Sequence, residues 1–228
     1  MMHTLVAADR HPLTLAGLAT LCRGDSQGFE WCGSAHSWAA LLHLVAAQSR
    51  PPDVAVVEPA MARLEDLVAG LRHLDGFGVR AVILTADIRP VPLRVAVDAG
   101  ACGIALKADP PSAILSTIRA AAVGTFSTSS DLATSMVLDA RRAPRLAPRE
   151  IEVLRLMAAG VPRKVIGHRM SPPVALTTVV TYLNRICDKY RDLGRPVYCP
   201  ADAVRAATED GYLPTWATPP SETPACAS

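Results

Sequence analysis

Five polar residues stand at the ends of short apolar runs. Asp9 and Arg10 follow "TLVAA", Glu58 follows "VAVV", Thr85 ends "AVILT" and Lys107 follows "GIAL". Two carboxylates, a guanidinium, an ammonium and a hydroxyl brought together can hold a charged ligand. They can equally neutralise one another as a permanent ion cluster, in which the Arg10 fork and the Lys107 ammonium both pair with Glu58. Either chemistry requires that the apolar runs be strands of one sheet with their far ends side by side.

The rest of the first 124 residues supports that arrangement. Strands are expected at Thr4–Ala8, Glu30–Gly33, Val54–Val57, Ala81–Thr85 and Gly103–Leu106. Amphipathic helices are expected between and after them, at Leu13–Leu21, Ser37–Ala47, Leu64–His73, Pro92–Ala99 and Pro111–Val123. Strands alternating with helices through short connections predict a parallel, doubly wound α/β sheet with helices on both faces. Ligands collect at the carboxyl ends of such strands, so Asp9, Arg10, Glu58, Thr85 and Lys107 are expected on one rim.

Charge is unevenly distributed. Residues 1–140 carry 10 Lys+Arg against 13 Asp+Glu, residues 141–199 carry 12 against 4, and residues 200–228 carry 1 against 4. A basic stretch of that kind is the footprint of a polyanion-binding module. Residues 125–145 are rich in Ser, Thr and Ala and read as a linker, with a short helix at Asp131–Ala140. Residues 146–214 read as an all-helical domain and 215–228 as a disordered tail. No apolar run is long enough to cross a membrane, and the N-terminus lacks the features of a secretory signal, so a cytoplasmic protein is expected. The six cysteines form no C-x-x-C pair and are expected to be reduced and mostly buried.

The helical domain carries its own pattern. A helix from Pro148 to Gly160 is followed by a shorter one at about Pro162–Met170 and a third starting at Ser171–Pro172. On the third, Val179, Leu183, Ile186 and Tyr190 fall on one stripe at 100° per residue. Thr177, Thr178, Thr181, Asn184 and Arg185 fall on the other side. A helix with one packed face and one of small polar groups, preceded by a helix and a turn, suits the major groove of double-stranded DNA. Arg163, Lys164, Arg169, Lys189 and Arg191 are candidate phosphate contacts.

Two resemblances join these halves. "AADRHPLTLAGLATL", "PDVAVVEPAM", "VILTAD" and "GIALKADPP" resemble the receiver domain of response regulators, and "PREIEVLRLMAAG" with "TVVTYLNRI" resembles the LuxR-type helix-turn-helix of the NarL/FixJ family. The resemblance implies a flavodoxin-like (βα)5 receiver followed by an all-α helix-turn-helix domain. It implies an acid pair binding Mg²⁺ after the first strand, a phosphoryl-accepting aspartate after the third, and a Thr and a Lys contacting the phosphoryl group. On this sequence those positions are Asp9, Arg10, Glu58, Thr85 and Lys107.

Two of them depart from the pattern. Arg10 replaces a metal-binding acid, which removes an oxygen ligand and adds repulsion. Glu58 replaces the acceptor and moves its oxygens by one methylene, whereas phosphoryl transfer depends on positioning and charge. In the helical half, Ala147 replaces the usual cap, "MSPPVALTTV" is two residues longer than usual, and Val180 stands where many relatives carry a DNA-contacting lysine. The expected protein is a non-enzymatic, homodimeric DNA-binding regulator with an unphosphorylated receiver and no cofactor or bound metal. The helix near Pro200–Thr208 resembles the family's dimerisation helix. A small-molecule effector in the rim and self-phosphorylation at Glu58 are the alternative readings; a decayed site with a tolerated ion pair is the bland one.

Overall fold

Strands with almost no polar residue are stable only when covered on both faces. The computed structural model, which describes residues 2–24, 28–129, 132 and 143–214, provides both covers. The chain divides into two units, Met1–Asp139 and Ala140–Ser228.

The first unit runs β1 (His3–Ala8), α1 (Pro12–Gly24), β2 (Phe29–Ala35), α2 (Trp38–Ala46), β3 (Val54–Val57), α3 (Leu64–Gly76), β4 (Arg80–Thr85), α4 (Pro90–Asp98), β5 (Gly103–Leu106), α5 (Pro111–Ala122) and β6 (Ser127–Thr128). The sheet is parallel, in the order β2-β1-β3-β4-β5-β6. Alternate residues of each strand enter opposite cores. Val6, Ala55, Val57, Ile83 and Ile104 pack with Leu41, Leu71 and Leu93, while Leu5, Val54, Val56, Val82 and Leu84 pack with Leu18, Ile114 and Ile118. The chain reverses its winding direction between β1 and β3, which pair with Ala8 opposite Val57. That register makes Asp9 and Glu58 neighbours at the switch point, where open α/β sheets bind ligands.

All five expected strands are present within a residue or two of their predicted bounds. β6 was not expected. Ser127 and Thr128 pair with Gly103 and Ile104, inside the stretch read as linker. Two polar residues on an edge carry no alternating apolar signal, so the sequence alone conceals them. The helix expected at Asp131–Ala140 lies outside the described residues, apart from Leu132, which is buried.

The described part of the second unit contains α6 (Pro148–Ala158), α7 (Arg163–Arg169), α8 (Leu176–Asp192) and α9 (Pro200–Asp210). α6 ends on Gly160 at φ +75°, a conformation that favours glycine. α8 begins at Leu176 and not at Ser171–Pro172 as expected. Each proline disfavours helical backbone in the residue before it, and Ser171 and Pro172 form a bend ahead of the helix. The predicted stripe is otherwise met, with Val179, Leu183, Ile186 and Tyr190 at 0–1% exposure.

Ala147 has no side-chain oxygen to cap α6. Glu150 compensates: its carboxylate accepts from Ala147 N at 2.7 Å, the half of a capping box that needs no Ser or Thr. Tyr190 donates to Asp210 at 2.8 Å, and Arg195 pairs with the same carboxylate while lying over the Tyr190 ring. Burial and the Asp210 charge push the Tyr190 hydroxyl well above its usual range, so it stays a donor. The five described cysteines are free; Cys22 and Cys187 are buried, Cys32 and Cys102 half-buried and Cys199 exposed. The expectation of mostly buried thiols is therefore met in part.

Candidate functional site

The rim of the first sheet is built around one ammonium group. β1 ends by turning Asp9 inward, and β3 does the same with Glu58, leaving the two residues 2% and 4% exposed. Lys107, the residue after β5, is fixed by its backbone N–H donating to Thr85 O at 2.8 Å. Its Nζ then lies 2.6 Å from Asp9 Oδ2 and 2.7 Å from Glu58 Oε2. The second Glu58 oxygen accepts from the Thr85 hydroxyl at 3.0 Å and from Ala60 N at 3.1 Å. Both oxygens of Glu58 are thus engaged by fixed donors.

His11 completes the cluster. Its backbone N–H donates to Asp9 Oδ1 at 2.8 Å, and its Nδ1 lies 2.9 Å from the same oxygen. Its sequence signal is an Asp followed two residues later by the N–H it bonds, the pattern of an Asx-turn. Asp87 does not join; it forms a bidentate pair with Arg89.

Four of the five predicted rim residues are therefore brought together: Asp9, Glu58, Thr85 and Lys107. The fifth is not. Arg10 is exposed and has no ion pair with Glu58 among the described residues. Its neighbour Asp9 faces the interior, and the chain turns into α1 at Pro12, so Arg10 faces solvent. The Arg10–Glu58 pair expected from the sequence is replaced by a Lys107 bridge between Asp9 and Glu58.

Burial alone would raise the Asp9 pKa, but hydrogen bonds from Lys107 and His11 outweigh it and hold the carboxyl below its ordinary value. Burial alone would lower the Lys107 pKa, but the bonds to Asp9 and Glu58 raise it. Asp9 therefore contributes stability that is present above pH 3.8 and lost as pH falls through its lower folded value. The Lys107 contribution is present below pH 10.5 and is lost above it. Thermal midpoints measured between pH 5 and pH 2 are expected to fall less steeply in Asp9→Asn than in the parent chain. Identical slopes would contradict this assignment.

The residues present do not fit Mg²⁺, which the resemblance to receivers implies. Mg²⁺ needs near-octahedral oxygen ligation. Here Arg10 supplies no oxygen, and the inner oxygens of Asp9 and Glu58 already face the Lys107 ammonium. No group of three or more His, Cys, Asp or Glu suited to a metal occurs among the described residues.

The second unit presents a different chemistry. On α8, Thr177, Thr181, Asn184 and Arg185 are exposed, while Thr178 and Val180 are half-buried. Arg163, Lys164 and Arg169 of α7 are also exposed, and none of these three or Arg185 has an ion-pair partner among the described residues. Lys189, unlike these, has partners within the unit. It pairs with buried Glu150 at 2.7 Å and donates to Arg145 O at 3.0 Å, tying α8 to the start of α6. Arg191 pairs with Asp188.

No family model matches the chain. Individual relatives do. The transcriptional activator protein ExaE of Pseudomonas putida is 31% identical over 218 residues, spanning 92% of this chain and 97% of ExaE. The nitrate/nitrite response regulator protein NarL of Escherichia coli (strain K12) is 28% identical over 199 residues, spanning 82% and 89%. Among solved structures, RcsB of Salmonella enterica serovar Typhimurium, bound to the P1flhDC promoter in the presence of phosphomimetic BeF3-, superposes with a TM-score of 0.63 at 19% identity. It covers 91% of this chain and 98% of RcsB. At that identity the likeness is one of fold. No described helix is long and apolar enough to cross a membrane.

Proposed function

The chain belongs to the NarL/FixJ response regulators with a LuxR-type helix-turn-helix, and from that premise we propose a homodimeric, sequence-specific DNA-binding transcriptional regulator. Its receiver unit is held in one signalling state by built-in charge, without phosphorylation. The observation that carries the DNA-binding reading is the set of four exposed cations of α7 and α8 without ion-pair partners among the described residues, Arg163, Lys164, Arg169 and Arg185. Cations left unpaired while Lys189 and Arg191 have partners are available to phosphates. Helix-turn-helix dimers read paired half-sites about one helical turn apart, which supports a homodimer.

For the receiver, the support is electrostatic. An acceptor carboxylate must have an oxygen free to attack, and a divalent ion must offset charge on the incoming phosphate. Glu58 has both oxygens engaged, and the place between the carboxylates belongs to Lys107. The same Thr and Lys that the resemblance assigns to a phosphoryl group contact the Glu58 carboxylate. Glu58 itself supplies the anion that a phosphoryl group would bring.

A duplex selected from a random pool by the full-length protein tests the first half of this reading. Arg185→Ala is expected to weaken binding to that duplex by about tenfold or more, since one good base or phosphate contact is worth roughly 1–3 kcal/mol. The thermal midpoint is expected to stay unchanged, because Arg185 is exposed. Unaltered affinity would rule out this face of α8.

A further inference from the structure

The base-reading end of α8 carries no charge. Two rows of neighbouring side chains run along its outer side, Leu176–Val180–Asn184 and Thr177–Thr181–Arg185, each spaced by four residues. In both rows the strongly polar member comes last. Leu176, the first helical residue, is 43% exposed although it is a large apolar side chain. Val180 is half-buried. The Thr181 hydroxyl donates to Thr177 O at 3.0 Å, so its one proton is committed to the helix itself.

Beside the hydroxyls of Thr177 and Thr178, what this half of the helix offers a partner is therefore a group of methyls. The same helix pair, α7 and α8, carries Arg163, Lys164, Arg169 and Arg185, exposed and without ion-pair partners among the described residues. A partner that suits both features must be a polyanion with apolar groups on its surface. Duplex DNA is such a partner. Its phosphates meet the cations, and each thymine places a C5-methyl in the major groove, which no other base does. The N-terminal residues of a recognition helix are also those that reach base edges.

We propose that Leu176, Val180 and the γ-methyl of Thr181 read the C5-methyls of thymines in the major groove. Asn184 and Arg185 then supply the polar contacts further along the helix. This inference rests on the DNA-binding reading above and names the chemical feature of the operator that α8 recognises.

The test uses the selected duplex and the full-length protein. Each thymine is replaced in turn by deoxyuridine, which removes one methyl and keeps both the pairing and the O4 acceptor. Affinity is expected to fall about fourfold for each contacted methyl, the effect of uncovering one apolar carbon. In Leu176→Ala, Val180→Ala and Thr181→Ser, the thymine–uracil difference is expected to vanish at one position each. Equal affinity of the parent chain for the two duplexes overturns the inference while leaving DNA binding intact. A thymine preference that survives unchanged in all three variants also overturns it. If no duplex is selected at all, both the inference and the DNA-binding reading fail.

Discussion

Replacing Lys107 by methionine is expected to destabilise the first unit by about 3–5 kcal/mol, the usual cost of stripping the partner from a buried charge. The effect is large because one ammonium serves two carboxylates. Asp9 and Glu58 are 2% and 4% exposed, and each touches Lys107 Nζ within 2.7 Å. Without it the two carboxylates face each other unshielded, and like charges a few ångströms apart repel by roughly 4 kcal/mol at an effective dielectric constant near 20. Hydrogen exchange of the β1 and β3 peptides reads the loss in the correct unit. The deficit is also expected to shrink as pH falls and one carboxyl takes up a proton. A variant as stable as the parent near pH 7 would mean that Lys107 is an ordinary surface lysine.

Gly167→Ala is expected to have the larger effect on DNA binding. A Cβ at this position would lie 2.3 Å from the backbone oxygen of Val174 and 3.4 Å from Val179 Cγ2. Alanine is favoured over glycine inside a helix by about 1 kcal/mol, but a clash with backbone cannot be relieved by turning a side chain. Overpacking of this kind costs about 1–3 kcal/mol, so the clash outweighs the propensity. Val174 N also donates to Gly167 O at 2.9 Å, which makes this contact the point where α7 sets the start of α8. Displacing it moves Leu176 and Thr177 from their positions. A loss of affinity of more than tenfold, with faster exchange confined to α7 and α8, is the expected result; parent-level affinity would show that the turn can yield without moving α8.

The sequence revealed much of this because its strongest signals are periodic. The apolar runs from β1 to β5 end where the polar residues begin, and the Val179–Tyr190 stripe follows helical spacing. What escaped it depends on side-chain direction and on distant partners. Asp9 and Arg10 are adjacent, yet one turns inward and the other to solvent, a difference set by how the chain leaves β1. Charge alone groups Lys189 with the DNA-facing cations, whereas its partner Glu150 lies 39 residues earlier, and no local spacing announces such a pair. Ser171–Pro172 reads as a helix opening, but the second proline disfavours helix at Pro172, and α8 starts at Leu176.

In the proposed regulator an ammonium group takes the place of both metal and phosphoryl chemistry at Asp9 and Glu58. Intact mass spectrometry after incubation with acetyl phosphate and Mg²⁺ tests it most directly. The expected result is an unchanged mass. A phosphoryl adduct that disappears in Glu58→Gln would contradict it.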